Sequence, residues 1–269
     1  MKDPGSRREG PPPFPTPTIV RRSATGPIEL PVRGAGTVTP GDVAKKLHNS
    51  GIFTGGPPEL FESAGRLQLA TLLREGIYPF SKTLDIGCGC LRAGYWLVRF
   101  LDSDCYFGIE PAREMLESGI ENLLGSQLVA IKRPVFSTND GFDFSVFGVG
   151  FDVYLARSVW THASRAMIQR MLDSFVETCN PDAFFLTSYL PASWIASLRK
   201  QDYRGKRWIG RSHESSVPGQ VRHDRRWIEG ECRARGLWVR QLPDKSFNGQ
   251  YWLKIAKNAD ALKTFAAVA

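Results

Sequence analysis

No apolar run in the 269 residues is long enough to make a bilayer-crossing helix. The polar, proline-rich N-terminus also lacks the apolar core of a secretion signal. The five cysteines, Cys88, Cys90, Cys105, Cys179 and Cys232, contain no C-x-x-C pair. An odd set of that kind suits free thiols in a reducing cytoplasm and speaks against a disulfide framework or a zinc site. Histidine is scarce, at four in the chain. No His, Cys, Asp or Glu cluster has metal-site spacing, so no metal is assigned. Acidic residues are outnumbered 27 to 35 by Lys and Arg, for a formal net charge of +8. Much of the excess is local, because residues 200–240 hold eleven Lys/Arg against five Asp/Glu. Such a stretch attracts a phosphorylated or acidic substrate, or nucleic acid, or it is a solvated arginine-rich face.

Half of the eighteen prolines fall in residues 1–40, which read as a disordered or loosely attached tail without assigned chemistry. Residues 41–80 form a helical cap, starting at Thr39-Pro40-Gly41-Asp42 and broken at Gly55-Gly56-Pro57-Pro58. Its main helix, 60–75, sets Leu60, Phe61, Ala64, Leu67, Leu69 and Leu72 on one face. The core domain is expected over 81–257, with a short tail at 258–269.

Residues 83–110, TLDIGCGCLRAGYWLVRFLDSDCYFGIE, organise the rest. Thr83-Leu84-Asp85-Ile86 is a buried-strand pattern that runs straight into Gly87-Cys88-Gly89. Leu91, Tyr95, Val98 and Leu101 recur at helical spacing, and CYFGI is a second strand ending on Glu110. This is the layout of a nucleotide-binding βαβ unit. Glycines allow a tight turn with no side chain between backbone and ligand. The helix N-terminus presents free N–H groups, and a carboxylate roughly 20 residues on takes ribose hydroxyls. A dinucleotide fingerprint needs a third glycine at position 92; Arg92 there argues against NAD or FAD. The bland alternative is a tight turn with no ligand.

Downstream, 112–124 reads as a helix with Met115, Leu116, Ile120 and Leu123 inward, and 127–131 as a short strand. Ser137-Thr138-Asn139-Asp140-Gly141-Phe142 is a polar turn after a strand-like stretch. Strand 150–156 leads into Arg157-Ser158-Val159-Trp160-Thr161-His162, then helix 164–179 and strand 184–189. Residues 189–222, aromatic and basic without a clear period, read as a lid or substrate insert. Helix 223–235, capped by Gly236, and strands 237–242 and 250–257 complete the pattern.

Leu84-Asp85-Ile86-Gly87-Cys88-Gly89 with the spaced Glu110 resembles motif I of the class I S-adenosylmethionine (SAM) methyltransferases. The SVWTH segment resembles motif IV of the small-molecule methyltransferases among them. The resemblance spans about residues 60–257 and implies an α/β fold. That fold is a doubly wound, mostly parallel seven-stranded sheet with helices on both faces, an antiparallel C-terminal hairpin and N-terminal helices. It also implies SAM as cofactor, with S-adenosylhomocysteine (SAH) as product, and methyl transfer to oxygen or nitrogen of a small molecule, sugar-bearing or a natural product. The resemblance implies that Gly87, Gly89 and nearby backbone hold the methionyl part, that Asp85 orders the loop or the amino group, and that Glu110 takes the ribose hydroxyls. Cys88, Arg92 and Pro111 fall among the cofactor-binding positions, although Cys88 and Cys90 also read as packing residues. Asp140, Gly141 and Phe142 hold the adenine, although Asp140-Gly141 is also simply a good turn. Ala156 and Arg157 complete the cofactor wall, and Trp160, Tyr189 and Trp194 face the acceptor. The family's usual Pro-Gly-Gly turn is replaced here by Asn180-Pro181-Asp182-Ala183.

His162 is the candidate general base, since imidazole titrates near neutrality; the other reading makes it, or Thr161, a cap of the next helix. His213 and His223 are weaker candidates, and an N-methyltransferase needs no strong base. Three alternatives stand beside the small-molecule reading: an RNA or protein methyltransferase favoured by the basic stretch, a non-catalytic SAM-fold scaffold, and the NAD enzyme that Arg92 disfavours.

Overall fold

A computed structural model of the chain describes residues 19–20, 39–52, 57–192, 203–207, 219–246 and 249–263. Ile19–Val20 forms a two-residue strand, β1. Thr39 caps α1 (Pro40–Asn49) by a reciprocal pair: its hydroxyl accepts from the Asp42 N–H, and the Asp42 carboxylate accepts from the Thr39 N–H. Helix α2 (Phe61–Glu75) stops at Gly76, whose left-handed backbone ends it.

Strands β2 (Thr83–Ile86) and β3 (Tyr106–Ile109), joined through α3 (Gly94–Phe100), are buried at every residue. A strand covered on both faces is buried at every position, and the polar members of β2 are satisfied there: Thr83 donates to the Ser81 carbonyl and Asp85 accepts from the Tyr106 hydroxyl. Helix α4 (Arg113–Gly119) passes through a π-helical turn (Ile120–Leu124) into α5 (Gly125–Lys132). Then follow β4 (Val135–Ser137), β5 (Phe151–Ala156), α6 (Arg165–Thr178) and β6 (Cys179–Tyr189). Strands β7 (Tyr203–Arg207) and β8 (Gly219–Val221) pair with each other. Helix α7 (Arg225–Ala234), β9 (Trp238–Lys245) and β10 (Tyr251–Ala256) finish the fold.

Seven strands run in the order β4-β3-β2-β5-β6-β10-β9, the number expected, and β1 adds an eighth at the β4 edge. Strands β2 to β6 are parallel, whereas β10 is antiparallel to both neighbours and β1 is antiparallel to β4. Alternate residues feed two cores. Val153 and Leu155 of β5 join residues of α1 to α5, while Tyr154 and Ala156 join those of α6 and α7. The chain winds outward in opposite senses from β2 and β5, so a crevice opens between their carboxyl ends.

Three expectations are corrected. Residues 127–131 are helical, within α5, and not a strand. A short apolar run fits either period, and packing decides: Val129 turns inward against the α3 side, Ile131 is exposed, and Lys132 Nζ donates to the Leu101 carbonyl. The strand position beside β3 is filled by Val135–Ser137. In α2, Leu60 and Leu67 face outward, and the buried stripe runs through Phe61, Ala64, Gly65, Gln68, Thr71, Leu72 and Glu75. Its polar members are satisfied. Gln68 and Thr71 bond back to the Ala64 and Leu67 carbonyls, and Glu75 pairs with Lys254 and Arg240. Helix α3 begins at Gly94, not Leu91, because Leu91 takes a left-handed backbone (φ 67°) inside the preceding turn.

Candidate functional site

The loop leaving β2 is tied to the end of β3. Gly87 and Cys88 N–H both donate to the Ile109 carbonyl, at 2.8 and 3.0 Å. Gly87 and Gly89 have φ of +66° and +56°, where a Cβ is strained. At Gly87 a Cβ would also meet Val159 Cγ2 at 2.8 Å; at Gly89 the nearest atom is Met115 Sδ at 4.0 Å, so the outer side of the loop has room. Glu110, just past β3, closes the arrangement: its Oε2 accepts from Gly89 N–H and its Oε1 from Ala112 N–H, both at 2.9 Å. Two backbone donors thereby fix a carboxylate next to a left-handed glycine loop. Pro111 lies between Glu110 and Ala112, half-buried.

Asp85 sits beneath this loop, buried, and accepts from the Tyr106 hydroxyl at 2.8 Å. Burial pushes its carboxyl up to about 7, against the pull of that hydrogen bond. The Cys88 thiol rises as well, through burial and the negative charges of Asp85 and Glu110, so it stays a thiol. Tyr106, a partner the sequence reading missed, explains Gly94: a Cβ there would lie 2.6 Å from its hydroxyl.

After β4 the turn is held by Asn139, another residue missed, although Asn in such a turn is a known signal. Its Oδ1 accepts from Gly141 N–H and its Nδ2 donates to the Asp143 carbonyl. Asp140 and Gly141 are exposed at the tip. Phe142 is half-buried with a left-handed backbone (φ 57°), an unfavourable conformation for a bulky residue.

At the end of β5, Ala156 is buried and its carbonyl accepts from Thr187. Register pairs Asp85 with Leu155, so the loops that follow β2 and β5, the latter beginning with Arg157, leave the sheet at the same end. Arg92 is buried, its guanidinium 5.4 Å over the Phe61 ring of α2. Burial and the charge of Arg92 push Arg157 down to about 10. Ser158 takes a left-handed backbone (φ 66°) and is pinned by a network missed in the sequence. Its N–H donates to Ser188 Oγ, Gln250 Nε2 donates to its Oγ, and Ser188 Oγ donates to Gln250 Oε1.

The turn carrying His162 is gripped from outside. His223 Nε2 lies 3.0 Å from the Trp160 carbonyl and 3.1 Å from the Ala163 carbonyl, and Val221 N–H donates to the Thr161 carbonyl at 2.7 Å. His223 is completely buried and pushed down to about 4 by burial, so it is a neutral staple and no base. The cap of α6 is Ser164, which removes both His162 and Thr161 from that role. His162 is half-buried on the turn.

Two acceptor contacts are corrected. Trp160 is fully buried in the α6–α7 core, edge-on to Phe185, and Tyr189 is buried with its hydroxyl on Gln241 at 2.9 Å. Both face inward because their aromatic surface completes that core. Trp194 and His213 lie outside the described residues. Among the described residues, no helix is long and apolar enough to cross a membrane.

No protein-family model matches the sequence, and no curated protein does. Solved structures do. The chain is similar to magnesium protoporphyrin IX methyltransferase from Synechocystis with bound SAH, at TM-score 0.54 and 17% identity, over 80% of this chain and 98% of that one. Streptomyces venezuelae DesVI gives TM-score 0.54 at 15% identity, over 80% and 98%. The glycopeptide N-methyltransferase MtfA, complexed with SAM, gives 0.52 at 15%, over 73% and 94%. What is shared at these identities is the fold, that of SAM-dependent methyltransferases.

Proposed function

We propose that this chain is a SAM-dependent methyltransferase acting on an oxygen or nitrogen of a small-molecule acceptor. The observation that carries the reading is Glu110, clamped by the Gly89 and Ala112 N–H groups beside an open left-handed loop at the switch point of the sheet. A fixed carboxylate suits a vicinal diol, and the space outside Gly89 suits a backbone-held methionyl chain. The residues present therefore fit SAM. Asp85 lies under the same loop, where an ammonium group would favour its ionised form. Asn139 shapes the Asp140–Phe142 turn into the adenine wall.

SAM supplies a methyl group already activated on sulfur. The protein aligns the acceptor, excludes water and, for a hydroxyl acceptor, removes a proton. His162 Nδ1 or Nε2 takes that proton. Its turn is held through the Trp160, Thr161 and Ala163 carbonyls, so its position does not depend on the acceptor. The 189–222 insert, whose described ends meet at Leu190, Ala192 and His223 beside that turn, is assigned to acceptor recognition.

The basic stretch, which favours an RNA or protein acceptor, is partly neutralised within the fold. Of its described arginines, Arg225, Arg235 and Arg240 are engaged in ion pairs with Glu229, Asp173, Glu231 and Glu75. The methyltransferases of porphyrin and glycopeptide noted above also support a small acceptor.

The test is calorimetry with SAH, followed by SAM labelled on its methyl group in a host extract. Wild type is expected to bind SAH, Glu110→Ala to bind it at least about tenfold more weakly, and label to enter a small-molecule fraction. Label in RNA or protein would overturn the acceptor class, and SAH affinity equal in both proteins would overturn the site.

A further inference from the structure

The turn that carries His162 is entered through Ser158, whose left-handed backbone (φ 66°) is a conformation that favours glycine. A residue with a side chain stays there only where its surroundings over-determine it. The far end of the turn, Trp160 to Ala163, is held from outside by Val221 and His223. The near end is held from the C-terminal hairpin. Gln250, the residue before β10, is buried, and the Ser246 N–H fixes its backbone by donating to its carbonyl at 2.7 Å. Its side chain closes a ring. Gln250 Nε2 donates to Ser158 Oγ at 2.7 Å, Ser158 N–H donates to Ser188 Oγ at 2.8 Å, and Ser188 Oγ donates to Gln250 Oε1 at 2.6 Å. Ser158 is thus gripped by its amide and its hydroxyl at once, from residues 30 and 92 positions away. A buried polar ring with every member satisfied is rigid.

We propose that Gln250 is a positioning residue for methyl transfer, acting through Ser158 to aim the turn that presents His162 to the acceptor. This rests on the methyltransferase reading. The hold passes along the turn: the Thr161 hydroxyl donates to the Ser158 carbonyl at 2.8 Å, and the His162 N–H donates to the Val159 carbonyl at 3.0 Å. Val159 in turn lies against Gly87, where an added Cβ would come within 2.8 Å of its Cγ2. Gly87 itself is fixed separately, by the Ile109 carbonyl. Loss of Gln250 therefore disturbs the acceptor side of the crevice and leaves the cofactor loop in place. An amide suits the position because it donates to one hydroxyl and accepts from another. A carboxylate at 250 would keep the acceptor for Ser188 and lose the donor to Ser158.

The experiment uses the full chain saturated with SAH. With four histidines in the chain, the His162 ring proton is assigned by NMR from its loss in His162→Ala. SAH affinity is read by calorimetry, and turnover as the initial rate of label transfer from methyl-labelled SAM into the small-molecule fraction of a host extract. Gln250→Leu is expected to shift or broaden the His162 resonance and to lower the rate about tenfold or more, with SAH affinity within about threefold of wild type. Gln250→Glu is expected to fall between. Ser188→Ala opens the same ring from β6, is expected to act in the same direction, and covers the case in which Gln250→Leu does not fold. Ser158→Ala added to Gln250→Leu should cost no further rate, because both act through one contact. If the extract supplies no acceptor, the resonance decides alone. An unchanged His162 resonance in the folded variants overturns the role. A loss of SAH affinity as large as the loss of rate also overturns it, because Gln250 would then support the cofactor loop. A wild type that does not bind SAH overturns the methyltransferase reading, and this one with it.

Discussion

Asp85 holds its proton to about pH 7 in the folded protein, against an ordinary value of 3.8. Between those values the folded chain binds a proton the unfolded chain has released. Its contribution to stability is therefore complete below about pH 4 and lost as pH rises through 7. In the ligand-free protein, Asp85→Asn is expected to flatten the fall of Tm between pH 5 and 8; an unchanged slope would refute the assignment. His162 makes a different demand. For a hydroxyl acceptor, His162→Ala is expected to lower kcat at least tenfold while SAH affinity moves less than threefold. Undiminished turnover would remove it as base. The sequence displayed Asp85, Gly87, Gly89 and Glu110 because their spacing follows from one local unit. It did not display Tyr106 or Asn139, whose roles depend on where a hydroxyl or amide points after folding.

Among elements, the 221–223 segment holds the turn that bears His162. His223 holds two carbonyls of the His162 turn while stacking on Trp227 of α7. Its folded value of about 4 lies below the ordinary 6.5. Stability from this group is therefore present above pH 6.5 and lost as pH falls toward 4, opposite in sign to Asp85. His223→Leu leaves the Trp160 and Ala163 carbonyls without this donor and is expected to cost about 1–3 kcal/mol. It should also remove that acid-side loss, as denaturant unfolding at pH 5 and pH 7.5 would show. Nothing in the order of residues places 223 beside 160; the contact spans the insert. Helix α2 illustrates a related limit. Its apolar residues suggested a face through Leu60 and Leu67, whereas the buried stripe takes in Gln68 and Thr71, bonded to carbonyls one turn back, and Glu75, which depends on partners as distant as Arg240 and Lys254.

On the scale of the whole molecule, a mostly parallel sheet with helices on both faces and an antiparallel C-terminal hairpin was legible through the family resemblance of the glycine turn and its flanking segments, whereas the strand beside β3 was misplaced onto residues that are helical. The β1 strand was not legible, since two residues carry no period. That strand covers the β4 edge of the sheet. The opposite edge, β9, has no outer partner among the described residues and carries Trp238, 58% exposed. An open edge bearing an apolar side chain invites strand-to-strand association between molecules. Here Pro243 interrupts the row of donors, and the register slips between Tyr251 and Leu253 opposite it. Pro243→Val is therefore expected to leave SAH affinity intact and raise the rate of light-scattering growth on warming, with no change in scattering counting against it. A residue without an N–H thereby bears on colloidal behaviour through the free edge of the sheet.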